Sequence, residues 1–277
     1  MFLHEEKVFD DGLKIKIFNG RENFKSCLLF APANAVPMVF YQPLAEWIAK
    51  NNNIKVVMLD YLGVGESTPT HPKKIVRSAS AWARKDIKNV IDYISEELEV
   101  ETINYLGHSI GGQLVGLIPN VNKIDKIILV ASQSAYFGFW KGFSKLKMMA
   151  NWYVLIPLMV KLYGYLPGKF SSMEDLPPDA ALEWARWARS ENYFMDHQNE
   201  VYFNEITSSV VSISFSDDNY APLDSVEWLA KRFENATVER IHYRPEDLKK
   251  DKIGHFGLFK KKNKDLWPII SGHLKLI

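Results

Sequence analysis

A serine flanked by glycines, in Gly107-His108-Ser109-Ile110-Gly111, follows an apolar run that carries Ile103, Tyr105 and Leu106. Gly-x-Ser-x-Gly spacing suits a sharp strand-to-helix turn that presents a hydroxyl at its tip, where a base can activate it. Side chains at 107 and 111 would collide with the adjoining strand and helix, and glycine avoids the collision. With Ser109 as nucleophile, the Ile110 N–H points to where an oxyanion would form. Five positions with three specified also arise by chance. A solvated serine in an ordinary turn is therefore the plain alternative, and partners elsewhere in the chain must decide.

The chemistry needs an acid and then a histidine downstream, the histidine to take the serine proton and the acid to orient it. The β-branched run 210–215 breaks at Ser216-Asp217-Asp218-Asn219, ahead of Pro222. A carboxylate there can reach a histidine on another loop. Asp217 and Asp218 both qualify, and both suit turn-forming or helix-capping roles instead. Three histidines follow: His242 inside a strand-like run, His273 in the C-terminal tail, and His255 in Ile253-Gly254-His255-Phe256-Gly257. Glycine on either side gives that loop backbone freedom, so His255 is the candidate general base.

Strands alternating with helices must position these groups. Residues 13–18 alternate like an N-terminal hairpin strand. Short apolar strands are expected at 27–30, 54–59, 103–106, 126–130, 210–215 and 237–243. Amphipathic helices are expected at 40–50, with Leu44, Trp47 and Ile48 on one face, and at 80–98, with Ser80 as N-cap. The order implies an α/β class with a mostly parallel, doubly wound sheet, whose functional loops lie at the strands' carboxyl ends.

Composition fits a globular chain of 277 residues, 47% hydrophobic and 24% charged. A net charge of +1 argues against a nucleic-acid partner. The single cysteine, Cys27, forbids an internal disulfide and reads as a small core residue. No histidine pair stands at metal-ligand spacing with a carboxylate, Gly63-x-Gly65 lacks the third glycine of a dinucleotide loop, and no metal or cofactor is expected. The start, Met-Phe-Leu-His-Glu-Glu, lacks the pattern of a leader, and the apolar run 153–160 is too short to span a bilayer and holds Pro157. A cytoplasmic protein with no integral membrane segment is the expectation, with its oligomeric state unspecified.

With these residues on the page, the chain resembles an α/β-hydrolase-fold serine hydrolase of the serine aminopeptidase and monoglyceride lipase-like kind, in a poorly characterised bacterial branch. The likeness runs from about Cys27 to the C-terminus. It rests on the serine pentapeptide, on Asp60-Tyr61-Leu62-Gly63-Val64-Gly65-Glu66-Ser67 as the family's D-x-x-G-x-G-x-S loop, and on residues 253–259 with the preceding Ser-Asp-Asp. The resemblance implies a Ser109, His255, Asp218 triad. Asp218 is preferred to Asp217 because Pro222 stands four residues after it. The family's His-Gly after its first central strand is replaced by Phe30-Ala31-Pro32-Ala33-Asn34-Ala35, where a second oxyanion N–H is expected from Ala33 or Asn34.

The resemblance also divides the chain into a core of residues 1–133 and 208–277 and a helical cap of residues 134–207, with a linker near 171–178. Residues 141–170 hold five Lys, no Asp, Glu or Arg, and Met148, Met149, Trp152, Leu155, Ile156, Leu158 and Met159. One reading is an apolar lid over an acyl site that makes transient contact with an anionic membrane. The other is cap helices packed on the core with lysines in water, which ordinary amphipathic helices favour. Two function classes stay open. The first is an enzyme cleaving a small-molecule ester or thioester with an apolar acyl group, as a carboxylesterase, lipase or thioesterase in preference to a peptidase, or passing the acyl group to an alcohol. The second is a non-catalytic binding protein on the same fold.

Overall fold

The computed structural model describes residues 4–20, 25–170 and 173–276, Phe170 by its backbone alone. Residues 1–3, at the start read above for a leader, and Ser171 and Ser172 of the expected linker lie outside the described residues.

Eight strands form one sheet in the order β1-β2-β4-β3-β5-β6-β7-β8. They are β1 (His4–Val8), β2 (Lys14–Phe18), β3 (Ser26–Ala31), β4 (Lys55–Asp60), β5 (Thr102–His108), β6 (Lys126–Val130), β7 (Ser209–Phe215) and β8 (Val238–Tyr243). The strands from β4 to β8 run parallel, while β2 pairs antiparallel with both β1 and β4. The central strands are continuous apolar runs because both faces are covered. Cys27, Leu29 and Ala31 enter the core on one face, and Leu28 and Phe30 enter the core on the other. In β6, Ile127 and Leu129 divide from Ile128 and Val130 in the same way. Cys27 is fully buried, which pushes its thiol up to about 12 and leaves it a packing group.

Helix α1 (Gln42–Asn52) buries Leu44, Ala45, Ile48 and Ala49 and stops where Asn53 turns left-handed at φ 53°. The expected 80–98 helix begins earlier, as α2 (Ala79–Ala81), a π-helical stretch Trp82–Ile87 and α3 (Lys88–Glu97). Its N-cap is Ser78, whose hydroxyl accepts the Ala81 N–H at 3.2 Å, and not Ser80. Ser80 is drawn into tertiary contact instead: its N–H and hydroxyl both donate to the Glu183 carboxylate, at 2.7 and 2.9 Å. A partner 103 residues away outweighs the local capping preference.

The turn after β5 opens α4 (Ile110–Gln113). Between β6 and β7 lie α5 (Gly142–Ala150), a π-helical stretch Asn151–Leu155, α6 (Ile156–Tyr163) and α7 (Pro178–Trp187). Helix α8 (Leu223–Ala230) follows β7, and α9 (Pro268–Ser271) closes the chain. Among the described residues no helix is long and apolar enough to cross a membrane.

Candidate active site

The candidate residues come from loops that leave the carboxyl ends of β3, β5, β7 and β8. At the β5 turn, Ser109 has φ 53° and ψ −118°, a conformation that costs a side-chain-bearing residue about 1–3 kcal/mol. Its backbone is held on both sides: its N–H donates to Val130 O at 3.0 Å, and its carbonyl accepts the Gly112 N–H at 3.1 Å. A Cβ on Gly111 would stand 2.2 Å from Ala31 O, so only glycine lets the 31–34 loop lie against the turn. Ile110 starts α4, where the N–H has no carbonyl within the helix. Ser109 and His255 are each 8% exposed.

The two aspartates after β7 do different things. Asp218 Oδ2 lies 2.7 Å from His255 Nδ1, while its Oδ1 accepts N–H bonds from Tyr220 at 2.8 Å and Ala221 at 3.2 Å. The Asp217 carboxylate turns to the backbone and accepts the N–H groups of Ile253 at 2.8 Å and Gly254 at 3.0 Å. It fastens the loop that carries His255, whose ring touches Tyr220, Phe256 and His108 at centroid separations of 5.4, 4.9 and 4.9 Å.

His108 is the unspecified position before the serine in the Gly-x-Ser-x-Gly spacing. It is fully buried, and burial holds its imidazole well below the usual histidine range, hence neutral. Its Nε2–H donates to His255 O at 2.9 Å, which leaves Nδ1 to accept the Tyr41 hydroxyl at 2.7 Å. Tyr41 Oη in turn accepts the Ala33 N–H at 3.1 Å. One buried chain of hydrogen bonds thus joins the β3 loop, the serine turn and the histidine loop. The His before Ser109 was visible in sequence; its link to Tyr41, 67 residues away, was not.

This chain bears on the expected oxyanion donors. The Ala33 N–H is already spent on Tyr41, so Asn34 is the remaining candidate in that loop. Neither amide atom of the Asn34 side chain has a hydrogen-bond partner among the described residues, although the residue is 5% exposed. The loop is pinned from below by Asp60, which accepts the Met38 N–H at 2.6 Å and the Glu66 N–H at 2.8 Å. Burial raises the Asp60 carboxyl to about 6. The Asp60-to-Ser67 loop therefore acts on the site through the backbone it holds. Among the described residues no group of three or more His, Cys, Asp or Glu could hold a metal ion.

Tyr41→Phe keeps the ring contacts with Phe30 and Phe259 and strands the Ala33 N–H and His108 Nδ1 in the core. It should cost about 1–3 kcal/mol of stability for the unpaired groups, read by urea denaturation.

A sequence profile of the α/β-hydrolase fold matches residues 34–245, most of the chain. The chain belongs to the α/β-hydrolase fold family. No curated protein matches the sequence. Among solved structures, a soluble variant of monoglyceride lipase from Saccharomyces cerevisiae superposes with a TM-score of 0.67 at 14% identity, covering 100% of this chain and 96% of that one. An esterase from Pyrococcus furiosus gives 0.62 at 12% identity, with coverages of 99% and 92%. A lipase-esterase related protein from Clostridium acetobutylicum gives 0.60 at 16% identity, with coverages of 95% and 100%. At these identities the likeness is one of fold.

Proposed function

We propose that this α/β-hydrolase is a serine hydrolase that cleaves a carboxylic ester or thioester with an apolar acyl group through an acyl-enzyme. The observation that carries the reading is the 2.7 Å contact of His255 Nδ1 with Asp218, on a loop tied through His108 to the Ser109 turn. Asp218 holds the proton on Nδ1, so Nε2 is free to take the Ser109 proton as the hydroxyl attacks the carbonyl. The N–H groups of Ile110 and Asn34 receive the oxyanion. His255 then hands its proton to the leaving group, and a water deprotonated by His255 releases the acid.

Residues 134–207 act in this reading as a cap over residues 1–133 and 208–277. Trp140 of this segment supports an apolar acyl site, donating its Nε1–H to Asn219 O at 2.9 Å, next to Asp218. The esterases and lipases that share the fold favour an acyl ester over a peptide.

A fluorophosphonate probe should label the folded protein, and peptide mapping should place the adduct on Ser109. p-Nitrophenyl esters from acetate to palmitate should be turned over with an optimum beyond acetate. Absence of labelling and of turnover at every chain length, with the protein folded, refutes the reading.

A further inference from the structure

Residues 142–163 form one nearly continuous helical stretch that is apolar on two sides. Trp152, Ile156 and Val160, four residues apart, face inward and are buried, with Trp152 edge-on to Trp184 at 4.6 Å. The opposite side should be polar if it faced only water. It carries Phe143, Leu146, Val154 and Leu162, which are 82, 56, 58 and 66% exposed, with Leu158 and Tyr153 between them. A packed amphipathic cap therefore accounts for only half of this helix. Exposed aliphatic groups repeating along one helical face, beyond scattered single residues, mark a surface that meets something apolar.

Charge selects the partner. Lys141, Lys145, Lys147 and Lys161 are all exposed and form no ion pair among the described residues, although Lys145 Nζ lies over the Phe137 ring at 5.9 Å. Residues 141–170 hold no acid, and the Arg189 guanidinium adds a further positive group over the Tyr153 ring at 5.4 Å. A second copy of the chain meeting this face through a two-fold axis would set these lysines against one another, with no carboxylate in residues 141–170 to pair them. An apolar helical face rimmed by lysine suits a bilayer surface with anionic headgroups, with the helix lying in the plane of the interface. The chain leading into this helix passes the candidate site: Trp140, just before Gly142, is hydrogen-bonded to Asn219 beside Asp218.

We infer that residues 142–163 dock the protein on an anionic lipid surface, and that the site beyond Trp140 draws its acyl ester from that surface. The second half rests on the proposed hydrolase activity; the docking does not. The test is co-sedimentation of Ser109→Ala protein, which needs no chemistry, with vesicles of phosphatidylcholine alone and of phosphatidylcholine mixed with phosphatidylglycerol. Binding to the mixed vesicles should exceed binding to the neutral ones and fall with added salt. The double change Leu146→Glu, Leu162→Glu should weaken it at least about tenfold, with the thermal melt unchanged, and in the Ser109 background it should leave p-nitrophenyl acetate turnover at its original level. Three results overturn the inference: no pelleting with mixed vesicles, equal pelleting of the double variant, or a dimer in sedimentation equilibrium that the double variant dissociates. Salt-sensitive vesicle binding with neither fluorophosphonate labelling nor turnover by the Ser109 protein sustains the docking and refutes the hydrolase reading alone.

Discussion

Ser109→Ala is expected to lower kcat for p-nitrophenyl butyrate by roughly 10⁶-fold, with KM little changed. The serine, histidine and aspartate of such a site act as a unit, so loss of the nucleophile removes the covalent route and with it the use of His255 and Asp218. What survives, about 10³–10⁴-fold over water, comes from the oxyanion donors and from binding the ester. Ser109 sits at φ 53° in the native turn. Alanine keeps the same backbone strain, so the variant should fold with an unchanged circular dichroism spectrum. Serine-independent turnover in that folded variant would assign the nucleophile elsewhere.

Asp218→Asn should cost about 10⁴-fold in kcat. The asparagine keeps an oxygen for the N–H groups of Tyr220 and Ala221 but turns an NH₂ toward His255 Nδ1. The imidazole must then carry its proton on Nε2, where it can no longer accept one from serine. Asp217→Asn is the informative control, because among the described residues its carboxylate is hydrogen-bonded to the N–H groups of Ile253 and Gly254 and not to His255. Part of that double acceptance is lost, so the expected effect is about 1–3 kcal/mol of stability and a rate loss of about tenfold at most, through the backbone that carries His255. Steady-state turnover beside urea denaturation separates the two. A large rate loss in the Asp217 variant alone would reverse the roles.

Much of the architecture was legible along the chain because a sheet covered on both faces writes itself as short apolar runs. The strands expected at 54–59 and 237–243 are β4 (Lys55–Asp60) and β8 (Val238–Tyr243), each within a residue or two. Helix starts were less legible. Ser78 and Ser80 are equally good caps by type, and the choice between them depended on Glu183, which the fold brings from the segment between β6 and β7.

The candidate site divides along the same line. Local sequence marked Ser109 through its glycines and His255 through its flexible loop, since both signals depend on backbone constraints that neighbours in the chain create. Residue type alone left Asp217 and Asp218 level, and the preference for Asp218 came only from the Pro222 spacing of the resemblance, because adjacent carboxylates differ in which way each side chain points once β7 and the 253–257 loop are side by side. The Tyr41–His108 link and the loss of the Ala33 N–H to it depend on three loops meeting at the carboxyl end of the sheet.

The helix of residues 142–163 makes the same point in packing. Its sequence shows apolar residues and lysines, and nothing local says which apolar side is covered. By itself the sequence determined the parallel α/β order, the serine turn and the histidine loop, all set by short-range backbone and burial preferences. Tertiary structure alone decided what the Asp217 carboxylate holds, which N–H is left in the β3 loop, and which face of that helix stays uncovered, because each depends on groups far apart in the chain meeting one another.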